Sequence, residues 1–150
     1  MFQRFTERAR RSIFFARYEA SRFGTPEITS EQLLLGMLHE DKVVALLLGI
    51  DRVEAMRKEI ESRTPRREAI STSVDLPVGE ECQRALKFAV EEADALYHKS
   101  VGAPHLVLGL LRVEESLGAK VLQDRGVDYQ RYRALVEQAS EERHGDASRG

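Results

Sequence analysis

TSEQLLLGML, residues 29–38, and GAPHLVLGLL, residues 102–111, are two versions of one phrase. They start 73 residues apart (102 − 29), and each carries a Leu-Gly step in the same place, Leu35-Gly36 and Leu108-Gly109. A helix of this composition is apolar on nearly every side, so it has to be buried among other helices. Glycine inside a helix costs about 1 kcal/mol relative to alanine. Its presence in both copies predicts that a neighbouring helix approaches closely there.

The flanking residues supply the start signals. Thr29 is followed three places later by Gln32, the spacing of a capping box. In the second copy Gly102 stands at the cap and Pro104 in the first turn, where proline is tolerated. Upstream, Phe5, Ala9, Ile13, Ala16, Ala20 and Phe23 step by three or four, one face of an amphipathic helix that Thr6 can cap and Gly24 can end. Cys82, Ala85, Leu86, Ala89, Ala93 and Leu96 repeat that pattern before the second phrase. At the same spacing Ala16 matches Ala89, Ala20 matches Ala93, Ile28 matches Val101 and Leu33 matches Leu106.

Downstream, a short helix is expected over about residues 42–48, with Gly49 as its stop, and another over 51–62, with Val53, Met56 and Ile60 facing inward. Their counterparts are expected over 115–124, stopped by Gly126, and 129–139. GID at residue 49 and GVD at residue 126 match with a spacing of 77 (126 − 49), so the second copy gains four residues, about one helical turn. Residues 64–77 have no sustained period and are rich in Ser, Thr and Pro, which reads as a linker in which Arg66 and Arg67 are solvated. No useful β-alternation occurs. The expected fold is all-α: eight helices in two four-helix repeats related by a pseudo-twofold axis, with repeat one over 1–63, repeat two over 78–140 and a frayed polar tail over 141–150.

Composition bounds the function. The 150 residues are 42% hydrophobic and 32% charged, ordinary for a globular chain, with a net charge of −2. Residues 1–75 carry 13 basic and 12 acidic groups and residues 76–150 carry 10 and 13, so neither half is a polycation and nucleic acid is not expected as the main partner. A regulator that binds nucleic acid through Arg4, Arg8, Arg10, Arg11, Arg17 and Arg22 is the alternative reading. The longest aliphatic run, residues 43–50, is too short to cross a bilayer, and the charged N-terminus has no signal-peptide pattern, so a cytosolic chain is expected with no membrane partner. The single cysteine, Cys82, falls on an inward face and reads as core rather than as the nucleophile of a small hydrolase. His105 reads as a satisfied or capping side chain. His39, His98 and His144 have no metal spacing, so neither metal nor cofactor is expected.

The stretch MFQRFTERARRSIFFARYEASRFG, followed by the Leu-Gly phrase and its repetition after a linker, resembles the N-terminal domain of the Clp chaperones. It is most similar to the ClpC branch, where the opening reads F-x-R-F-T-E-R-A and the phrase is close to G-T-E-H-I-L-L-G-L. The resemblance covers residues 1–140. It implies a non-catalytic module that receives unfolded or tagged clients, or adaptor proteins, for an ATP-driven unfoldase. No G-x-x-x-x-G-K-[ST] loop for ATP is present in these residues. The ClpC resemblance also implies recognition of phosphorylated arginine, with a glutamate of the phrase on the guanidinium and groups at a helix start on the phosphate. Glu31 stands at that glutamate, and Thr6 with Arg4 at the start of the first helix. The second repeat departs from the pattern, with Pro104 in place of the glutamate and Gly79 in place of Thr6. Phe14, Phe15, Tyr18 and Tyr97 form a candidate apolar patch for a client or adaptor.

Overall fold

The computed structural model describes residues 3–40 and 48–149. Among them are seven helices: α1 (Glu7–Phe23), α2 (Ser30–Glu40), α3 (Ile50–Arg63), α4 (Glu80–Ala95), α5 (Ala103–Arg112), α6 (Leu117–Asp124) and α7 (Tyr129–Arg149). The helix expected over 42–48 lies almost wholly outside the described residues. The last helix continues past the expected end at Ala139 to Arg149. Its apolar period stops there, but Glu, Arg and Ala are adequate helix formers without one.

Local chemistry sets the boundaries. Thr6 Oγ1 accepts the Ala9 N–H (3.1 Å), and Gly24 ends α1 in the left-handed region at φ 73°. Gln32 Oε1 accepts the Thr29 N–H (2.9 Å), and His105 Nδ1 does the same for the Gly102 N–H (2.8 Å) at the equivalent place in the second copy. Ser116 caps α6 through the Ala119 N–H (3.1 Å).

α1 packs most extensively on α2, and α4 on α5. Leu33, Leu34, Leu35, Leu106, Val107 and Leu108 are each 2% exposed or less, so both phrases form the centre of the core. A fully buried leucine contributes about 1.5–3 kcal/mol. The reason for the two glycines is backbone proximity. A Cβ at Gly36 would stand 2.1 Å from the Ser12 carbonyl oxygen and 2.7 Å from the Ala16 nitrogen; at Gly109 the same atoms belong to Ala85 and Ala89, at 2.2 and 2.7 Å.

The copies are interlocked. Phe5 pairs with Val101 and Ile28 with Val78 in two isolated parallel β-bridges, so each chain segment that precedes a first helix lies beside the one that precedes the other copy's second helix. α6 packs on α2 and α3 of the first copy, and the Gly118 N–H donates to Ser30 Oγ (3.1 Å, buried). The linker lies along the C-terminal half of α1: the Arg67 and Ile70 N–H groups donate to the Phe23 and Ser21 carbonyls (3.0 and 2.9 Å). Arg66 and Arg67 are exposed, with the Arg66 guanidinium 5.3 Å from the Phe23 ring centroid.

Gly36→Ala and Gly109→Ala should each destabilise the protein by about 2 kcal/mol, within the range for overpacking, although alanine is the better helix former. Urea unfolding of the two variants tests this; unchanged midpoints would mean that the helices are free to separate.

Candidate functional site

The exchange of segments creates two junctions, each built from both copies. At the first, the N-terminus of α1 meets that of α5. The Thr6 N–H donates to the Val101 carbonyl (2.9 Å), and the Val101 N–H donates to that of Arg4 (2.8 Å). Arg4 bridges to the loop after α4: Nη2 pairs with Asp94 (2.8 Å), and its guanidinium donates to the His98 and Lys99 carbonyls (both 3.3 Å). His105 is buried, and because its Nδ1 accepts the Gly102 N–H, its ring proton belongs on Nε2, which stands 2.7 Å from His98 Nδ1. Pro104 lies at this junction, so the start of α5 offers no carboxylate.

At the second junction the N-terminus of α4 meets that of α2. The Ile28 N–H donates to the Pro77 carbonyl (2.9 Å) and the Gly79 N–H to that of Ile28 (2.8 Å). A cavity of about 310 Å³ opens between them, lined by four carboxylates, Glu27, Glu31, Glu80 and Glu81, with Thr29, Gly79 and Cys82 among the other residues. Ser30 Oγ donates to Glu31 Oε2 (3.2 Å), which aligns that carboxylate. Burial, and then the charges of Glu115 and Glu31, push the Glu81 carboxyl above its ordinary value. Cys82 is 1% exposed, and its thiol is pushed up to about 12, first by burial and then by Glu31. A thiol so protonated is no nucleophile.

The structure therefore separates the residues that the sequence nominates. Arg4 and Thr6 lie at the first junction and Glu31 at the second. Each junction keeps one half of the expected pair and lacks the other, Pro104 at the first and Gly79 at the second.

One cluster escaped the sequence reading. Glu92 is 3% exposed, yet it accepts a hydrogen bond from the Tyr129 hydroxyl and lies 3.7 and 3.6 Å from the guanidiniums of Arg112 and Arg133. Arg112 also covers the Phe88 ring at 4.1 Å. Burial, then the bond to Glu92, raises the Tyr129 hydroxyl above its ordinary value. The cluster lines a groove of about 890 Å³ beside α4, α5 and α7. The signal was available: position 92 follows Ala89 by three on the core-facing side of α4, and its counterpart Glu19 is also buried.

Among the described residues no group of three or more His, Cys, Asp or Glu is placed to hold a metal, and no helix is long and apolar enough to cross a membrane.

The sequence pattern of the Clp repeat (R) N-terminal domain matches residues 4–103 and again 78–149. The chain belongs to that family. Over 140 residues it is 37% identical to the chloroplastic chaperone ClpC1 of Arabidopsis thaliana, a stretch that covers 91% of this chain and 15% of the relative. The chloroplastic ClpA homologue of Brassica napus, an ATP-binding subunit of the ATP-dependent Clp protease, is likewise 37% identical, with 91% and 16% covered. The chain thus spans about one sixth of the length of these relatives or slightly less. The crystal structure of the N-terminal domain of ClpD from Arabidopsis thaliana superposes with a TM-score of 0.72 at 28% identity, covering 94% of this chain and 97% of that one. A structure from preliminary investigations of a malarial protein secretion system reaches a TM-score of 0.79 at 14% identity, a likeness of fold alone. Among the described residues the regular structure is helical throughout, and the two matched regions overlap over residues 78–103.

Two predictions follow from the second junction. Cys82 should resist iodoacetamide at pH 8 in the native protein and react at once in denaturant; rapid native alkylation would contradict its burial. Because folding raises the Glu81 pKa, its favourable contribution is complete at pH below its unfolded value and is lost as pH rises through the folded one. Glu81→Gln should therefore raise the unfolding midpoint at pH 7 and have no effect below about pH 4, as urea titrations at the two pH values would reveal.

Proposed function

We propose that this Clp N-domain is a non-catalytic recognition module that receives clients or adaptor proteins for a Clp ATP-dependent unfoldase. The observation that carries the reading is the relation to Clp ATP-binding subunits at 37% identity through a region that is only about 15% of their length, the region that holds the Clp repeats. The buried, protonated Cys82 supports a binding role over a thiol-dependent reaction. Four of the six N-terminal arginines, Arg4, Arg11, Arg17 and Arg22, are already paired with Asp94, Glu7, Asp75 and Glu61, which supports protein rather than nucleic acid as the partner.

Within that role, Glu31 is proposed to hold the guanidinium of a client arginine. Glu27, Glu80 and Glu81 in the same cavity favour a cation. They oppose a phosphoryl group on that guanidinium, and Gly79 offers it no hydroxyl. Thr6 and Arg4 would favour a phosphoryl group, but at the other junction. The finer reading is recognition of both arginine and phosphoarginine through Glu31, with phosphoarginine no tighter than arginine.

Calorimetry with free arginine and free phosphoarginine tests it. Glu31→Ala should abolish the heat of both ligands and Thr6→Ala should spare them. Equal heats from wild type and Glu31→Ala would exclude Glu31 as the guanidinium partner. For the broader role, immobilised protein should retrieve a Clp ATPase, an adaptor or misfolded clients, and retrieval of none of these would refute it.

A further inference from the structure

Five large apolar side chains among the described residues stand well out in solvent: Phe14, Tyr18, Val74, Tyr97 and Leu135. Three of them share one side of the molecule. Phe14 (63% exposed) and Tyr18 (47%) are one turn apart on α1, and Val74 (45%) is tied to the same stretch through its carbonyl, which accepts from Arg17 Nη2 at 3.1 Å. Phe15 supports the surface from beneath. It is half-buried, edge-on to Phe14 with ring centroids 5.7 Å apart, and lies 4.1 Å from the His39 ring.

The duplication supplies an internal control. Gln83, Lys87 and Glu91 occupy on α4 the places that Arg10, Phe14 and Tyr18 occupy on α1, and all three are exposed. The same helix face folds with Lys87 and Glu91 at the two aromatic positions in the second copy, so the aromatic pair in the first is not a requirement of the fold. The linker, which covers the C-terminal half of α1, leaves the Phe14 end open.

The charges around the pair are unevenly matched. Arg17 faces Asp75 (3.5 Å) and Arg11 faces Glu7 (3.6 Å). Arg10, one turn before Phe14, is exposed and has no ion-pair partner among the described residues. An aromatic pair beside an unmatched guanidinium is the composition of a protein interface, in which aromatic and arginine side chains supply most of the binding. In a chain of net charge −2 it is also a local positive feature.

We propose that this face docks an acidic partner segment that carries a large apolar side chain. The apolar side chain packs over Phe14 and Tyr18 against Val74, and a carboxylate of the segment pairs with Arg10. The inference rests on the recognition role above and names the surface and the partner chemistry for it.

Fluorescence anisotropy of the intact chain with three short labelled peptides tests the assignment: an acidic peptide bearing Phe and Leu, the same peptide with Lys for each acidic residue, and the same peptide with Ser for Phe and Leu. Only the first should bind. Phe14→Lys, which installs the residue of the second copy and so preserves the fold, should weaken it at least about tenfold even though it adds positive charge. Arg10→Gln should do the same, and Leu135→Ser should change nothing. Equal binding of the basic peptide, or binding unaffected by Phe14→Lys or Arg10→Gln, would overturn the assignment. So would self-association that Phe14→Lys abolishes, which would make a second copy the occupant, or duplex DNA bound through Arg10. Retrieval of a Clp ATPase or adaptor undiminished by Phe14→Lys would keep the recognition role and remove this face from it, whereas loss of all protein binding in the wild type would refute both.

Discussion

Where α2 crosses α1, no side chain separates the two backbones. The absent Cβ of Gly36 lets α2 rest on the carbonyl of Ser12, and Gly109 lets α5 rest on that of Ala85. Much else depends on this contact. It brings Leu33, Leu34 and Met37 deep enough to be fully buried, and small residues on α1, Ala9, Ala16 and Ala20, complete the seat. Only a chain that accepts the poor helix propensity of glycine at these two places can close the pair so tightly. The gain is dispersion and apolar burial along the whole contact, which outweighs a single unfavourable residue.

The second organising feature is the crossing of the copies. Because Phe5 lies beside Val101 and Ile28 beside Val78, each copy's first helix begins next to the other copy's second. Two sites with the same backbone geometry result, and their chemistry has diverged. One has Arg4, Thr6 and a histidine pair; the other has four glutamates around a small cavity. Duplication here preserved architecture under strong packing constraints and left the exposed ends of helices free to change. The same divergence is seen on the outer faces of α1 and α4, where aromatic residues in one copy stand opposite lysine and glutamate in the other.

Much of the fold was legible in the sequence because its signals are local. Thr6 and Gln32 cap the helices that their spacing announces, Gly24 adopts the left-handed conformation that ends α1, and the apolar periods mark the core. The site was less legible. Arg4, Thr6 and Glu31 belong to one repeat in sequence but divide between two junctions, because the β-bridges that assign them form between residues far apart in the chain. Glu92 was hidden for a different reason: a carboxylate in a helix reads as surface, and only the convergence of Tyr129, Arg112 and Arg133 from α5 and α7 makes its burial tolerable. The end of α7 was missed because the apolar period in the sequence stops near Ala139, whereas the helix runs on to Arg149.

The hydrogen bond from Gly118 to Ser30 closes a clasp between α6 and the opposite copy. A clasp of this kind makes each half the missing subunit of the other. Severing the chain anywhere in 64–77 would turn one folding reaction into a bimolecular encounter, and the tether now supplies the concentration that two free halves would need. Joined in this way, the two halves keep a shared backbone frame at their junctions while the side chains set on it differ, Thr6 in one place and Gly79 in the other.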